Sequence, residues 1–366
     1  MTYDSILLPP AQQETTQPAV DEKNGSQAPG PRHPAKPAAS PLRGRARVVV
    51  TVILVTLAVL IAALVWVGVR GLMAANSAFT AGTAASELQQ HLDDGDLGRA
   101  RESVDLIQTE ARQAATLTSD PVWRALEFIP TVGSNLTAIR TGVGSLETIA
   151  VDGLDPLVAL STSVEIPQLL TSSRVDRLSG LNAAEPSIAE LDEAVRSAVA
   201  ALDSVDDSST IEPVAEAFST LRTELHRYAA VTSGLSAISH LGSSQVAAEP
   251  DTVWTIVVSS GYPLETTAHA VITATTGANG FAISRVAGPD TQGTADSSPL
   301  TISVESLSFL LTESGPQSLP ATRGGDRLSA EELEALLVVD GSPEELTNAH
   351  ALIGTHAAGL LTKLVG

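Results

Sequence analysis

Seven histidines are the first residues to test for chemistry: His33, His91, His226, His240, His269, His350 and His356. A zinc site on a helix needs two of them at i, i+4, as in His-Glu-x-x-His with its glutamate base. No two are three or four apart, and His350 and His356 would face different sides of one helix. They read as surface or half-buried imidazoles. The chain has no cysteine, so disulfides, thiolate nucleophiles and cysteine-held zinc are closed to it. A hydrolase elbow needs Gly-x-Ser-x-Gly between strand and helix. Gly142-Val143-Gly144-Ser145 has the wrong order and lies in a helical context, and no Gly-x-x-x-x-Gly-Lys phosphate loop is present. Asp93, Asp94 and Asp96 have the spacing of a calcium-loop fragment without its distal glutamate; they read as a solvated turn between helices. Glu331, Glu332 and Glu334 read as an acidic helix start that favours the helix dipole. Trp123 and Trp254 read as core residues, with sugar stacking as the alternative. No catalytic, cofactor-binding or metal-binding residue is assigned.

Charge narrows the partners. The net charge of -21 over 366 residues is unevenly placed. Residues 1–47 hold six basic against four acidic side chains, or +2, whereas beyond Arg70 the chain keeps 14 basic against 38 acidic, or -24. A body this acidic repels phosphate backbones, so no nucleic-acid partner is expected. Cations, basic proteins or neutral glycans are better company.

The elements that would position these residues fall into four stretches. Residues 1–47, with eight prolines and no periodicity, read as a disordered Pro-rich cytoplasmic tail. Residues 48–69 carry no charge and match the ~20 apolar residues of a bilayer-spanning helix, so the lipid bilayer is the expected partner of this segment. Arg43, Arg45 and Arg47 precede it, which places the N-terminus in the cytoplasm and the remainder outside the cell membrane. The run is longer than the apolar part of a cleaved signal peptide. Trp66 lies near the outer interface, and Arg70 can snorkel.

Residues 70–245 read as an extracellular, membrane-proximal helical bundle of about five to seven helices. Apolar stripes run through Leu88, Leu97, Val104 and Ile107, through Ile188, Val195, Val199 and Leu202, and through Phe218, Leu221 and Leu225. Pro130, Pro156, Pro167, Pro186 and Pro213 divide the helices, and Ser187 with Glu190 fits a capping box. Residues 246–366 read as a small α/β domain. It has strands at 253–258 and 300–304 and a hairpin around Asn279-Gly280. Its helices include one through Leu307, Leu310 and Leu311 that ends at Gly315-Pro316, and two begun by capping boxes at Ser329 and Ser342. The expected fold class is α+β.

The segment DPVWRALEFIPTVGSNLTAIRTG, residues 120–142, carries a Trp helix, a Pro-x-x-Gly turn and an Asn-Leu-x-x-x-Arg helix. In Trp123, Pro130, Gly133, Asn135, Leu136 and Arg140 it resembles an actinobacterial membrane-anchored family, the domain-of-unknown-function family 4012. TISVESLSFLLTESGPQSLP, residues 301–320, and SAEELEALLVVD are similar to a later segment of that family. The family's Asn-Asn-Ala-Glu-x-Arg-x-Thr-Gly-Gly stretch is missing, so the chain looks like a shortened, divergent member. The resemblance implies one anchor followed by an extracellular helical and α/β body. It also implies an architectural likeness to LytR–CpsA–Psr-type proteins, which transfer glycan from a lipid pyrophosphate using arginines and acidic metal ligands. Arg285, Arg323 and Arg327 are then the candidates for phosphate contact. Residues 120–146 themselves read as a packing corner. The function expected first is a non-enzymatic binding or scaffolding ectodomain for an envelope protein or glycan partner; the alternative is an envelope glycan or phosphoglycan transferase or its inactive relative.

Overall fold

The structure is a computed structural model that describes residues 42–130, 132–163, 172–247, 252–263, 267–277, 280–289, 299–319, 327–339 and 341–366. Of the expected tail, residues 1–47, residues 1–41 lie outside these, as do Pro167, Asn279 and Arg323. The first helix, α1 (Leu42–Asp93), begins before the apolar run and continues past it, so residues 42–47 are helical. Among the described residues α1 is the one helix long and apolar enough to cross a membrane. From Leu60 onward one side is covered: Leu60 and Ala63 are half-buried, and Val67, Ala74, Ser77, Ala84 and Leu88 are buried. Their spacing of three, four and seven is the stripe of a helix with one packed face.

Residues 57–366 form one compact unit. Gly95, at φ 71, turns the chain from α1 into α2 (Leu97–Thr118), whose N-cap Asp96 accepts from the Arg99 amide. Next come α3 (Pro121–Leu126), α4 (Val132–Thr148), a π turn at Ile149–Gly153 and α5 (Leu154–Ser163). The long pair α6 (Arg174–Asp203) and α7 (Glu212–Ala247) completes the bundle. Pro186, expected to separate two helices, lies inside α6 instead. It is exposed, so the backbone bond it removes faces water. The buried stripe Ile188, Val195, Val199 and Leu202 carries the helix past it, and Ser187 caps nothing.

The sheet has the order β3-β2-β1-β4. Strands β1 (Thr252–Ser260), β2 (Thr267–Gly277) and β3 (Gly280–Ala287) are antiparallel neighbours, and β4 (Leu300–Ser303) lies parallel to β1. Gly277 pairs with Gly280, which takes φ 96 and closes the hairpin. Helix α8 (Val304–Ser314) is capped by Ser303 and ends at Gly315, φ 70. The short β5 (Gln317–Ser318) and β6 (Arg327–Leu328) pair with each other. Both expected capping boxes are formed, at Ser329 for α9 (Ala330–Ala335) and at Ser342 for α10 (Pro343–Val365). The fold is α+β, mostly helical with a small mixed sheet. One core runs through Leu181 of α6 and Ile238 and Leu241 of α7, then through Ile256, Ile272 and Ile302 of the sheet. It continues into Leu307, Leu333 and Ile353 of the helices beyond.

Candidate functional site

Two groups of chemically able side chains come together in the fold. The first is at the carboxyl end of β1. A bulge between Val258 and Ser259 leaves His269 as the extra residue opposite β1, and bulges re-aim side chains in this way. His269 is buried, and its Nε2 lies 2.7 Å from Ser260 Oγ. The ring of His350, from α10, meets it edge-on with centroids 5.0 Å apart. Burial first, and then the neighbouring His350, pushes the His269 pKa down to about 4, so the imidazole is neutral at pH 7. A hydroxyl on a neutral imidazole is the start of an acyl-transfer pair. The third member is missing among the described residues: His269 Nδ1 is buried without a hydrogen-bond partner. Glu305 is nearby in the fold, but it accepts from the Gly261 amide at 2.8 Å. The pair therefore has a base with nothing to fix its tautomer.

The second group is basic. Arg174 and Arg177 open α6, Lys363 sits in the last turn of α10, and Arg327 lies on β6. Arg177 Nε donates to Leu364 O at 3.3 Å, satisfying a carbonyl that the end of α10 leaves open. Lys363 Nζ donates to Gln317 Oε1 at 2.6 Å. The Arg174 guanidinium lies across Gly280, where a Cβ would come within 2.5 Å of it. Burial and then Arg177 and Arg327 lower the Lys363 pKa; burial and then Arg174 lower that of Arg177. Among the described residues, none of the four forms an ion pair with a carboxylate. A cluster of guanidinium and ammonium groups suits phosphate or carboxylate.

The expected phosphate contacts are thus divided. Arg327 joins the basic group; Arg285 is exposed on β3 opposite Thr273 and away from it in register. Of the other histidines, His91 meets Ser103, His226 meets Asp203 at 2.9 Å and His240 meets Glu185. Trp254 donates to Thr276 Oγ1 and packs on the main core. Among the described residues no three His, Asp or Glu side chains gather as a metal site. The sequence carried no signal for His269 beside His350, which are 81 positions apart in number, or for Lys363 beside Arg177.

Two further features concern binding. At the corner of α3 and α4, Trp123 is buried and its indole N–H donates to Leu136 O at 3.1 Å. Asp120 caps α3 through the Trp123 amide and also accepts from Trp66 Nε1 and Arg70 Nε, each at 3.2 Å. Between α4 and α7 lies an open, apolar groove of about 290 Å³, with Ile139, Val143, Leu146, Val214 and Leu221 along it.

No protein-family model matches the chain, and no curated protein or solved structure is significantly similar to it.

Proposed function

We propose that the chain is a single-pass cell-envelope protein whose ectodomain binds a protein partner in cell-surface assembly rather than catalysing a reaction. The N-terminus is cytoplasmic and residues 70–366 are outside; the charge step across residues 48–69 supports that orientation. The observation that carries the binding role is the groove between α4 and α7. It has no charged lining residue and is bounded by two long helices, which suits an apolar helical segment. A glycan needs convergent polar groups, and this lining does not supply them. Membership of the domain-of-unknown-function family 4012 is part of the proposal and rests on the 120–142 and 301–320 segments.

A benzophenone side chain at Leu146, 44% exposed, tests the groove. In the native host it should yield one discrete protein adduct, while the same probe at Glu224 on the outside of α7 yields none. Equal labelling from both positions, or none from either, sinks the reading.

The transferase alternative is favoured by one observation, the meeting of Arg327 with Lys363 and Arg177. If that group holds phosphate, inorganic pyrophosphate at about 100 times its Kd should stabilise the protein by about 2.7 kcal/mol. Arg327→Ala should abolish the shift. No shift in the parent protein removes this alternative.

A further inference from the structure

The apolar run and the packed stripe of α1 overlap, and the overlap has a consequence. A bilayer core is ~30 Å thick and a helix rises ~1.5 Å per residue. Among the described side chains, those of residues 51–59 are exposed, and the twelve residues 48–59 span ~18 Å along the helix. Sliding the span toward the N-terminus would draw Arg47, Arg45 and Arg43 into hydrocarbon, which is costly. The remaining thickness must therefore come from residues 60–69, and there α1 is already covered. Leu60 and Ala63 pack against the same cluster as Val67, Trp123 and Leu126.

Given the anchor proposed above, we infer that the corner between α3 and α4 is embedded in the outer leaflet, with Phe128 as its lipid-facing anchor. The corner has the chemistry for that depth. Phe128 is 89% exposed in a chain with only five phenylalanines. It lies between Leu126 and Ile129, both in the cluster on α1. Phenylalanine is among the residues that seat the apolar face of an element lying in a bilayer surface. Two half-buried charges at the corner are matched to each other: Arg140 Nε and Glu127 Oε1 are 2.6 Å apart. Arg124 is exposed and long enough to snorkel. Trp66 and Arg70 meet Asp120 at the end of the run, where headgroups and water begin.

The absence of native cysteine makes single labelling clean. Spin labels at Leu57→Cys, Phe128→Cys and Glu224→Cys in liposome-reconstituted full-length protein would be compared for collision with oxygen and with a water-soluble nickel chelate. Position 57 reports the anchor, 224 reports water, and 128 is the question. The proposal expects 128 to match 57, with oxygen favoured. If 128 matches 224 while 57 favours oxygen, the embedded corner is wrong and the anchor stands. If 57 itself matches 224, the anchor fails and this inference with it. If the 128 spectrum is broadened and sharpens on dilution with unlabelled protein, a second copy covers Phe128 and lipid does not.

Discussion

Asp120 joins α1 to the corner, and replacing it separates three interactions that the structure places on one carboxylate. Its oxygens accept from the Trp123 amide at 2.8 Å, from Trp66 Nε1 and from Arg70 Nε. Burial alone would raise its pKa; the Trp123 amide, the Trp66 indole and the Arg70 charge outweigh it and leave the value lowered. Loss of the cap costs ~1 kcal/mol. Loss of the bonds made by the charged carboxylate costs a further ~1–3 kcal/mol, of which salt screens the Arg70 share because that side chain is 27% exposed. Asp120→Ala should therefore destabilise by roughly 2–4 kcal/mol. Residues 57–366 form one compact unit, and if it unfolds as one, an unfolding entropy of ~2.1 cal/mol/K per residue makes each kcal/mol worth about 1.5 °C. The expected drop in Tm is about 3–6 °C in detergent. Asp120→Asn keeps the cap, since asparagine caps as well as aspartate, and should lose only about half as much. The sign of the pH dependence follows from the lowered pKa. The carboxylate's contribution is complete above the unfolded value near 3.9 and fades as pH falls through the folded value, so parent and Asp120→Asn should converge in acid. Equal losses for Asn and Ala would refute the capping geometry, and a constant gap down to low pH would refute the role of the carboxylate's charge.

Three other outcomes are expected. Gly133→Ala would put a Cβ 1.8 Å from Glu127 O and 2.6 Å from Glu127 C; the backbone cannot yield cheaply, and a loss of about 3 kcal/mol or more should appear in thermal unfolding. His269, neutral in the fold at a pKa of about 4, takes up its proton near 6.5 when unfolded, so stability should fall by up to about 3 kcal/mol as pH drops from 6.5 to 4. His269→Gln should flatten that part of the profile. Gly234→Ala would place a Cβ 2.3 Å from Ser306 Oγ and 2.6 Å from Ser303 Oγ; both hydroxyls are buried and bonded, and Ser303 donates to Ala230 O. A loss of about 1–3 kcal/mol is expected from calorimetry.

The features legible in the sequence are those with local causes. Ser329 and Ser342 announced their helices because a capping box is complete within four residues. Gly315 and Gly280 marked turns because only glycine takes positive φ without strain. Pro186 misled because a proline inside a helix and a proline between helices look the same until the packing of Ile188 and Val195 decides. The covered stripe on α1 was hidden for a different reason. Between residues 48 and 69 every position is apolar or small, so the packed face at Leu60, Ala63 and Val67 has no polar face to contrast with it. His269 beside His350 depends on a bulge and on the docking of α10, neither of which leaves a periodic trace.

The two functional readings differ in how much of each site the fold already accounts for. Four uncompensated cations invite an anion, yet two of them already have a reason to be where they are. The end of α10 exposes carbonyls that carry about half a negative charge; Arg177 donates to one at Leu364, and Lys363 lies in that last turn. These contacts stabilise the helix end whether or not a ligand exists. Arg327 is exposed and Arg174 keeps a buried Nε without a partner, so only these two remain unexplained by the fold itself. A pyrophosphate site with two spare arginines and no acidic metal ligands among the described residues beside them is weaker than the likeness to glycan transferases requires. The groove between α4 and α7 has no comparable internal use. Among the described residues its apolar wall is left open, and the proposal of a protein partner rests on that opening.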